Sequence, residues 1–375
     1  MKDEYPTGKA DLMTGFMIKA QALTSPGGTW AMINLPSWMS LKSFEDLRQN
    51  LLRNQRLVSM VHLGRGVFGS DFGSVAFVMA NAKGDGGRAV YRRLFEQHVD
   101  VRSVATIEAL FFDRDYNRFE VAQSDFAAIP GSPIVYWLSE KMRSAFKVGK
   151  PLGQLADLLV GLRTGDNGRF MRHWWEVSRA RLALGCASLE DAKVSRRRWF
   201  PYNKGGAFRK WYGNQEHVVN WENDGREVEE GLAKRYPYMV PKGKTLVRGQ
   251  GRDRYFSPSV SWSKVSSGSP AFRAYPVGFI FDVAGTSIFA ANSRSHLWLL
   301  GFANSQMALE QLAAVAPTLN YEVGQVAGLP VVDADPDQVV RLASSAVATA
   351  KHDWDSFETS WEFQGSPIVE LLRGS

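Results

Sequence analysis

Only one cysteine, Cys186, stands among the 375 residues, which excludes an intramolecular disulfide and any cysteine-based zinc cage. The six histidines, His62, His98, His173, His217, His296 and His352, show no paired spacing of the kind helical metal sites use, so the sequence gives no support for a metal. Long apolar runs are missing as well. The longest, such as Leu297 to Phe302 and Val75 to Ala80, fall far short of the roughly 20 residues needed to cross a bilayer. Met1 to Asp11 carries acidic residues where a secretory leader has a basic region followed by an apolar one. A soluble, cytoplasmic protein is therefore expected. No internal repeat and no low-complexity segment is found.

What the chain does have is bulk and regional charge. It is 45% apolar with 22 Phe and 12 Trp, enough for one large core or two ordinary ones, and its length favours two or three domains. The net charge of +7 is compatible with nucleic acid or acidic partners without choosing between them. Its distribution says more: Arg163 to Arg273 holds 22 Lys and Arg against 11 Asp and Glu. That surplus exceeds the whole chain's, so the remainder is slightly acidic.

Periodicity orders the first part. Leu12, Phe16, Ala20 and Leu23 recur at helical spacing, and Ser25-Pro26-Gly27-Gly28 stops that helix. A strand, TWAMINLP, follows, and then an amphipathic helix with Phe44, Leu47, Leu51 and Leu52 on one face and Ser43 as its cap. LVSMVHLG and SVAFVMA are the next strands. Residues 1–85 thus read helix, strand, helix, strand, strand, an incomplete end of an α/β sheet. Residues 86–150, with strand-like AVYRRLF, ALFFD and RFEVAQ and a short helix around Ile134, Trp137, Leu138 and Met142, read as a connector. Residues 151–332 read as a loop-rich α+β domain whose last part is regular: strands FIFDV and SIFAA, then one helix over HLWLLGFANSQMALEQLAAVA. Residues 333–375 read as a helical tail with Val339, Leu342, Val347 and Ala350 available for packing.

Several motifs are tempting. Gly64-Arg65-Gly66-Val67-Phe68-Gly69 matches GxGxxG after a strand, but a phosphate cradle needs a helix to begin at the third glycine, and here a strand follows; a tight β connection is expected. Pro241-Lys242-Gly243-Lys244-Thr245 imitates the end of a phosphate-binding loop, yet position 238 is Tyr instead of the required Gly. Asp191-Ala192-Lys193 lacks the Pro-Asp partner of a nuclease motif.

Gly8-Lys9-Ala10-Asp11-Leu12 with Phe16, then Pro26 through Trp38 (PGGTWAMINLPSW), resembles the region just after the catalytic motif of Taq-type adenine methyltransferases. Leu63 to Phe68 and Ser74 to Met79 are similar to the final antiparallel strands of that domain. Gly161 to Asn167 (GLRTGDN) with Phe170 and Arg172 resembles the start of a target-recognition domain in bifunctional restriction-modification enzymes, and Asn320 to Val326 with Leu329-Pro330 resembles its end. KGGAFRKWYGNQEHVVNWENDG and HDWDSFETSWEF look like the PglX-type methyltransferases of BREX phage-defence systems, a resemblance that runs over nearly the whole chain. It implies the back half of a Rossmann-like class I methyltransferase sheet, an α+β target-recognition domain, and a C-terminal helix.

The resemblance also implies S-adenosyl-L-methionine as cofactor and double-stranded DNA as partner. The chemistry is not carried here. No Pro-Pro dipeptide exists to build the [DNS]-P-P-[YFW] element that holds a flipped adenine, and no strand leads into an FxGxG-like loop. The chain alone is expected neither to bind the cofactor nor to methylate. A separate polypeptide with the cofactor-binding half is expected as partner, other BREX components are candidates, and no membrane role is implied. The alternatives are a stand-alone DNA-binding or decoy protein without a catalytic role, and an inert product of a degraded gene.

DNA contact is expected from the basic region. Arg163, Thr164, Asp166, Asn167 and Arg169 form the turn at its start, where an Asx-type turn is the structural alternative. Arg196, Arg197, Arg198, Lys204, Arg209 and Lys210 interleave with Trp199, Phe200, Tyr202, Trp211 and Tyr212, a composition suited to phosphate contacts with stacking. Arg248, Gln250, Arg252 and Arg254 alternate with glycine and aspartate and have the fork geometry for guanine and adenine edges. His173-Trp174-Trp175 reads as core.

Overall fold

The computed structural model describes residues 3–69, 72–84, 86–96, 100–239, 251–266, 268–316, 320–332 and 335–369. The chain divides into two compact units, Met1–Gly149 and Lys150–Ser375.

The first unit begins with α1 (Leu12–Leu23), β1 (Thr29–Asn34), α2 (Glu45–Asn54), β2 (Arg56–Arg65) and β3 (Gly73–Ala80), in the order expected. It continues with β4 (Arg88–Arg93), α3 (Val104–Phe112), β5 (Arg118–Ala122), α4 (Ser124–Ala127) and α5 (Glu140–Val148). The strands form one sheet in the order β1-β3-β2-β4-β5, with β2 and β4 parallel and the other pairs antiparallel. The segment read as a connector therefore supplies two strands of this sheet. ALFFD, read as a strand, is the end of α3: the Ser103 hydroxyl caps its start by accepting from the Thr106 N–H at 3.2 Å. At its other end the Arg92 guanidinium donates to the carbonyls of Leu110 and Phe111 at 2.7 and 2.8 Å. The helix expected around Ile134 begins only at Glu140, capped by Ser139; Ile134, Val135 and Tyr136 before it are buried in irregular and turn backbone. Ser43 lies inside a 3-10 turn, Lys42–Phe44, and does not cap α2.

The two faces of the sheet differ. Trp30, Val75, Phe77, Met79, Leu57, Met60 and Tyr91 share one face, buried under Trp38, Leu47, Leu51, Phe126 and Tyr136. Trp38 packs on Phe77 at 5.1 Å, and Tyr91 stacks on Tyr136 at 5.0 Å. The opposite face carries Ala31, Ile33, Ser59, Val61, Ala76 and Val78. There a shallow depression of about 350 Å³ lies over β1, β3 and β2, and Ile33 is 53% exposed. The apolar stripe of α1 also points outward: Leu12, Phe16 and Leu23 are exposed, while Thr14, Gly15 and Met17 are buried. Helical spacing identified the stripe, and the structure turns it outward.

The second unit contains β6 (Lys150–Pro151), β7 (Asp157–Leu159), α6 (Asn167–Phe170), β8 (Met171–His173), α7 (Leu189–Ser195), β9 (Trp199–Asn203), β10 (His217–Asn220) and α8 (Glu222–Arg235). After these come β11 (Ser259–Trp262), β12 (Phe272–Tyr275), β13 (Ile280–Phe281), β14 (Ser287–Phe289), α9 (Ser293–Ala303), α10 (Gln306–Val315), α11 (Val323–Ala327), β15 (Pro330–Val331) and α12 (Pro336–Asp355). Two four-stranded sheets, β13-β9-β10-β8 and β12-β11-β14-β7, and the pair β15-β6 organise it. One core gathers Phe170, Phe200, Tyr202, Val219, Trp221 and Phe256. The other gathers Trp262, Phe272, Ile288, Leu300 and Leu312.

The long helix expected after β14 is two helices. Asn304 interrupts it by clasping the Phe272 backbone, accepting from its N–H at 3.1 Å and donating to its carbonyl at 2.9 Å, and Ser305 then caps α10. The tail helix is not an appendage. Gly301 of α9 leaves room for α12, since a Cβ there would lie 2.7 Å from Val339. The stripe facing inward is Val339, Ala343, Val347 and Trp354, with Leu342 exposed instead. No helix among the described residues is long and apolar enough to cross a membrane.

Candidate nucleic-acid interface

At the start of the basic region the polar side chains build the turn. Thr164 is buried and donates to Asn167 Oδ1 at 2.5 Å, and Asp166 caps α6 by accepting from the Arg169 N–H at 3.0 Å. Gly165 has φ of 71°, and a Cβ on it would lie 2.5 Å from Leu232 of α8. Thr164, Asp166 and Asn167 thus hold the backbone that sets out the exposed Arg163 and Arg169. Arg169 lies over the Phe170 ring at 4.8 Å and only 3.9 Å from Glu227.

The arginine triplet separates by direction. Arg196 ends α7 in left-handed backbone, φ 51°, so Arg196 and Arg197 project outward while Arg198 turns back. Arg198 lies 3.6 Å from Glu227, 3.8 Å from Glu222 and 5.7 Å above the Trp199 ring. Among the described residues, the remaining cations expected at DNA are committed within the protein. Lys204 pairs at 2.8 Å with Asp282, which is wholly buried and also accepts from the Tyr202 hydroxyl. Arg209 meets Asp353 at 3.3 Å and Trp354 at 5.0 Å, tying down α12. Lys210 donates to the Asn304 carbonyl at 3.4 Å. Arg252 pairs with Asp224 and Arg254 with Asp157, each at 2.5 Å. Arg248 and Gln250 lie outside the described residues.

The sequence reading passed over Arg179 and Arg181, which lie between α6 and α7. Arg179 and Arg181 are exposed there, and none of Arg163, Arg179, Arg181, Arg196 and Arg197 has a carboxylate partner among the described residues. The Arg198 N–H donates to the Arg181 carbonyl at 3.1 Å, which places Arg181 beside the triplet. Trp174 and Trp175, read together as core, part company. Trp174 packs against Leu182, Trp199 and Val218 and donates its indole N–H to the Thr359 carbonyl at 2.9 Å. Trp175 is 48% exposed and stacks on His173 at 4.5 Å with an 8° interplanar angle. His217 lies 4.7 Å from His173, and burial holds its imidazole below the ordinary histidine range. Two adjacent tryptophans look alike in sequence; only the β8–β10 pairing and the cap at Glu176 decide which one enters the core.

The glycine-rich stretch Gly64 to Gly69 at the end of β2 does not form a nucleotide cradle. It connects β2 to its antiparallel partner β3, and among the described residues no α-helix starts in it. Gly66, at φ 106°, is pressed against Arg102, whose carbonyl oxygen a Cβ would meet at 2.0 Å. This turn does not fit S-adenosyl-L-methionine. It holds up Phe68, 74% exposed in left-handed backbone, and Phe72, 70% exposed.

Residues 1–68 match the model of the Eco57I restriction-modification methylase family. The adenine-specific methyltransferase PglX of Lacticaseibacillus casei (strain Zhang) is 35% identical over 371 residues, 96% of this chain and 30% of the relative. BrxX of Escherichia coli O9:H4 (strain HS), also an adenine-specific methyltransferase, is 34% identical over 377 residues, 98% of this chain and 29% of the relative. The chain is a homologue of PglX and BrxX. It spans about 30% of the length of these relatives. Among solved structures, the Type IIL restriction-modification enzyme MmeI in complex with DNA aligns with 96% of the chain and 47% of its own, at TM-score 0.52 and 11% identity. That likeness concerns the fold, a mixed α/β architecture with several sheets.

Proposed function

We propose that this chain is the recognition portion of a site-specific DNA adenine-N6 methyltransferase of a BREX-type defence system. Lys150–Ser375 contacts the DNA target, with Arg163, Arg169, Arg196 and Arg197 at the phosphates. Met1–Gly149 is the closing half of a Rossmann-like class I methyltransferase sheet. The cofactor-binding and adenine-holding motifs come from a further polypeptide segment, whether continuous with this one or separate.

The observation that carries this reading is the one-sided sheet. Ile33 and its apolar neighbours on β3 and β2, together with Leu12, Phe16 and Leu23 of α1, leave apolar surface open in a unit whose other face is fully packed. Open apolar area of this kind marks an interaction surface, because covering it gains about 25 cal/mol per Å². An α/β sheet is stable with both faces covered, and the homology supplies a methyltransferase as the whole.

The test is complementation. The chain is mixed with a polypeptide carrying an FxGxG-like loop and an NPPY-like element, and methyl transfer from labelled S-adenosyl-L-methionine to DNA is counted. The mixture is expected to methylate. Ile33→Asp and Phe16→Asp, at exposed positions, leave the chain folded and abolish complementation. No transfer from the mixture, or full complementation by both variants, overturns the reading.

A further inference from the structure

Trp175 is 48% exposed, yet its ring is held in place on the basic unit by its stack on His173. The residues on each side of it are pinned. The His173 N–H donates to the Glu176 carboxylate at 2.7 Å, closing a reciprocal cap around the turn Trp174–Glu176. The Trp174 N–H donates to the Glu216 carbonyl at 3.0 Å and its indole N–H to Thr359, so both the backbone and the neighbouring ring are fixed. His173 then backs the Trp175 ring in parallel, and His217 backs His173. An exposed tryptophan free to rotate would lose entropy on binding; one already stacked loses little. Burial holds the imidazole of His217, the ring that backs His173, below the ordinary histidine range.

Cations lie along the same stretch of chain. Arg179 and Arg181 follow Trp175 within six residues and are exposed. Arg181 is joined through its carbonyl to Arg198, and so to the outward Arg196 and Arg197. An exposed aromatic ring followed in the chain by two arginines, which a backbone bond joins to the segment of two more, none with a carboxylate partner among the described residues, matches a ligand with flat apolar faces strung on a polyanion.

We propose that Trp175 is a stacking wedge for duplex DNA: its ring enters at a base step or against an unstacked base, while Arg179, Arg181, Arg196 and Arg197 clasp the flanking phosphates. This rests on the DNA-recognition reading above, and extends it from charge to a specific aromatic contact. A wedge works against base stacking, so it binds best where stacking is already weak.

The experiment uses the full chain and three fluorescent 30-mers: a perfect duplex, the same duplex with one central mismatch, and the single strand, each titrated at several salt concentrations. Wild type is expected to bind the mismatched duplex several-fold more tightly than the perfect one. Trp175→Ala should weaken duplex binding roughly tenfold, in the range measured for base–aromatic stacks, and erase the mismatch preference; Trp175→Phe should retain most of both. Arg179→Ala with Arg181→Ala should weaken all three probes and reduce the logarithmic salt slope by about two. The outcomes separate the two claims. If wild type binds duplex with a steep salt slope but Trp175→Ala keeps affinity and mismatch preference, the wedge is overturned and DNA recognition stands. If wild type fails to bind duplex, both fall. Circular dichroism on each variant confirms that the fold is intact, which the exposure of Trp175 leads one to expect.

Discussion

Lys204→Ala separates a core ion pair from a DNA contact. In the sequence Lys204 sits among aromatic and basic residues and has every mark of a phosphate ligand. In the structure its ammonium lies 2.8 Å from Asp282, whose side chain has no exposure, while the lysine side chain retains 23%. Removing one member of a buried pair costs about 3–5 kcal/mol, because the other charge stays desolvated. Two features place Lys204→Ala near the lower end. Asp282 keeps the Ala284 N–H at 2.7 Å and the Tyr202 hydroxyl, and the lysine is not fully buried. A loss of about 3 kcal/mol corresponds to roughly 6–12 °C in a unit of this size. Thermal denaturation followed by circular dichroism reads it directly. Adding Asp282→Asn removes the stranded charge, so the double variant should regain much of the loss, a coupling that a double-mutant cycle quantifies. Arg197→Ala, on the exposed side, should leave the melting temperature within about 1 °C and weaken DNA binding. The reasoning fails if Lys204→Ala melts like wild type and instead lowers the salt slope of DNA binding.

Two further outcomes follow from the backbone and from burial. Gly66→Ala combines a φ of 106° with a Cβ 2.0 Å from the Arg102 carbonyl oxygen; it should destabilise the first unit by more than about 2 kcal/mol, whereas Gly69→Ala, with open space around it, should cost only about 1 kcal/mol, as urea denaturation would resolve. His217 and His296 are both held below the ordinary histidine value of 6.5, chiefly by burial. The unfolded chain therefore takes up these protons first, and stability falls as pH drops below about 6.5, while these groups contribute no change above pH 7.5. Melting temperatures at pH 8.0, 7.0 and 5.5 should show this, and His217→Gln with His296→Gln should lessen the acid sensitivity; an unchanged acid loss in that variant would assign it to other groups.

Local pattern is enough for much of the first unit. Alternating and continuous apolar runs mark β1, β2 and β3, and the stop at Ser25-Pro26-Gly27-Gly28 ends α1 one residue before it, because Pro and Gly end helices by covalent geometry that needs no tertiary partner. The same pattern fails at ALFFD, where four consecutive apolar residues suit strand or helix equally. The Ser103 cap and the Arg92 guanidinium, 11 residues before that cap, choose the helix. It fails again at α1, since periodicity reports that Leu12, Phe16 and Leu23 share a face without reporting what covers it.

Composition by itself located the basic region and its aromatic content, and residue patterns suggested the methyltransferase relationship that homology to PglX and BrxX supports. Which cations remain available was decided by tertiary structure alone. Charge is a property of a residue, but its availability depends on whether a carboxylate from a distant segment arrives beside it: Asp282 at Lys204, Asp353 at Arg209, Asp157 at Arg254. Those partners lie 78, 144 and 97 residues away, beyond any local window. The left-handed turn at Arg196 and the sheet edge that leaves Trp175 exposed beside the buried face of Trp174 belong to the same class of fact, set by how the chain closes and not by the order in which it is written.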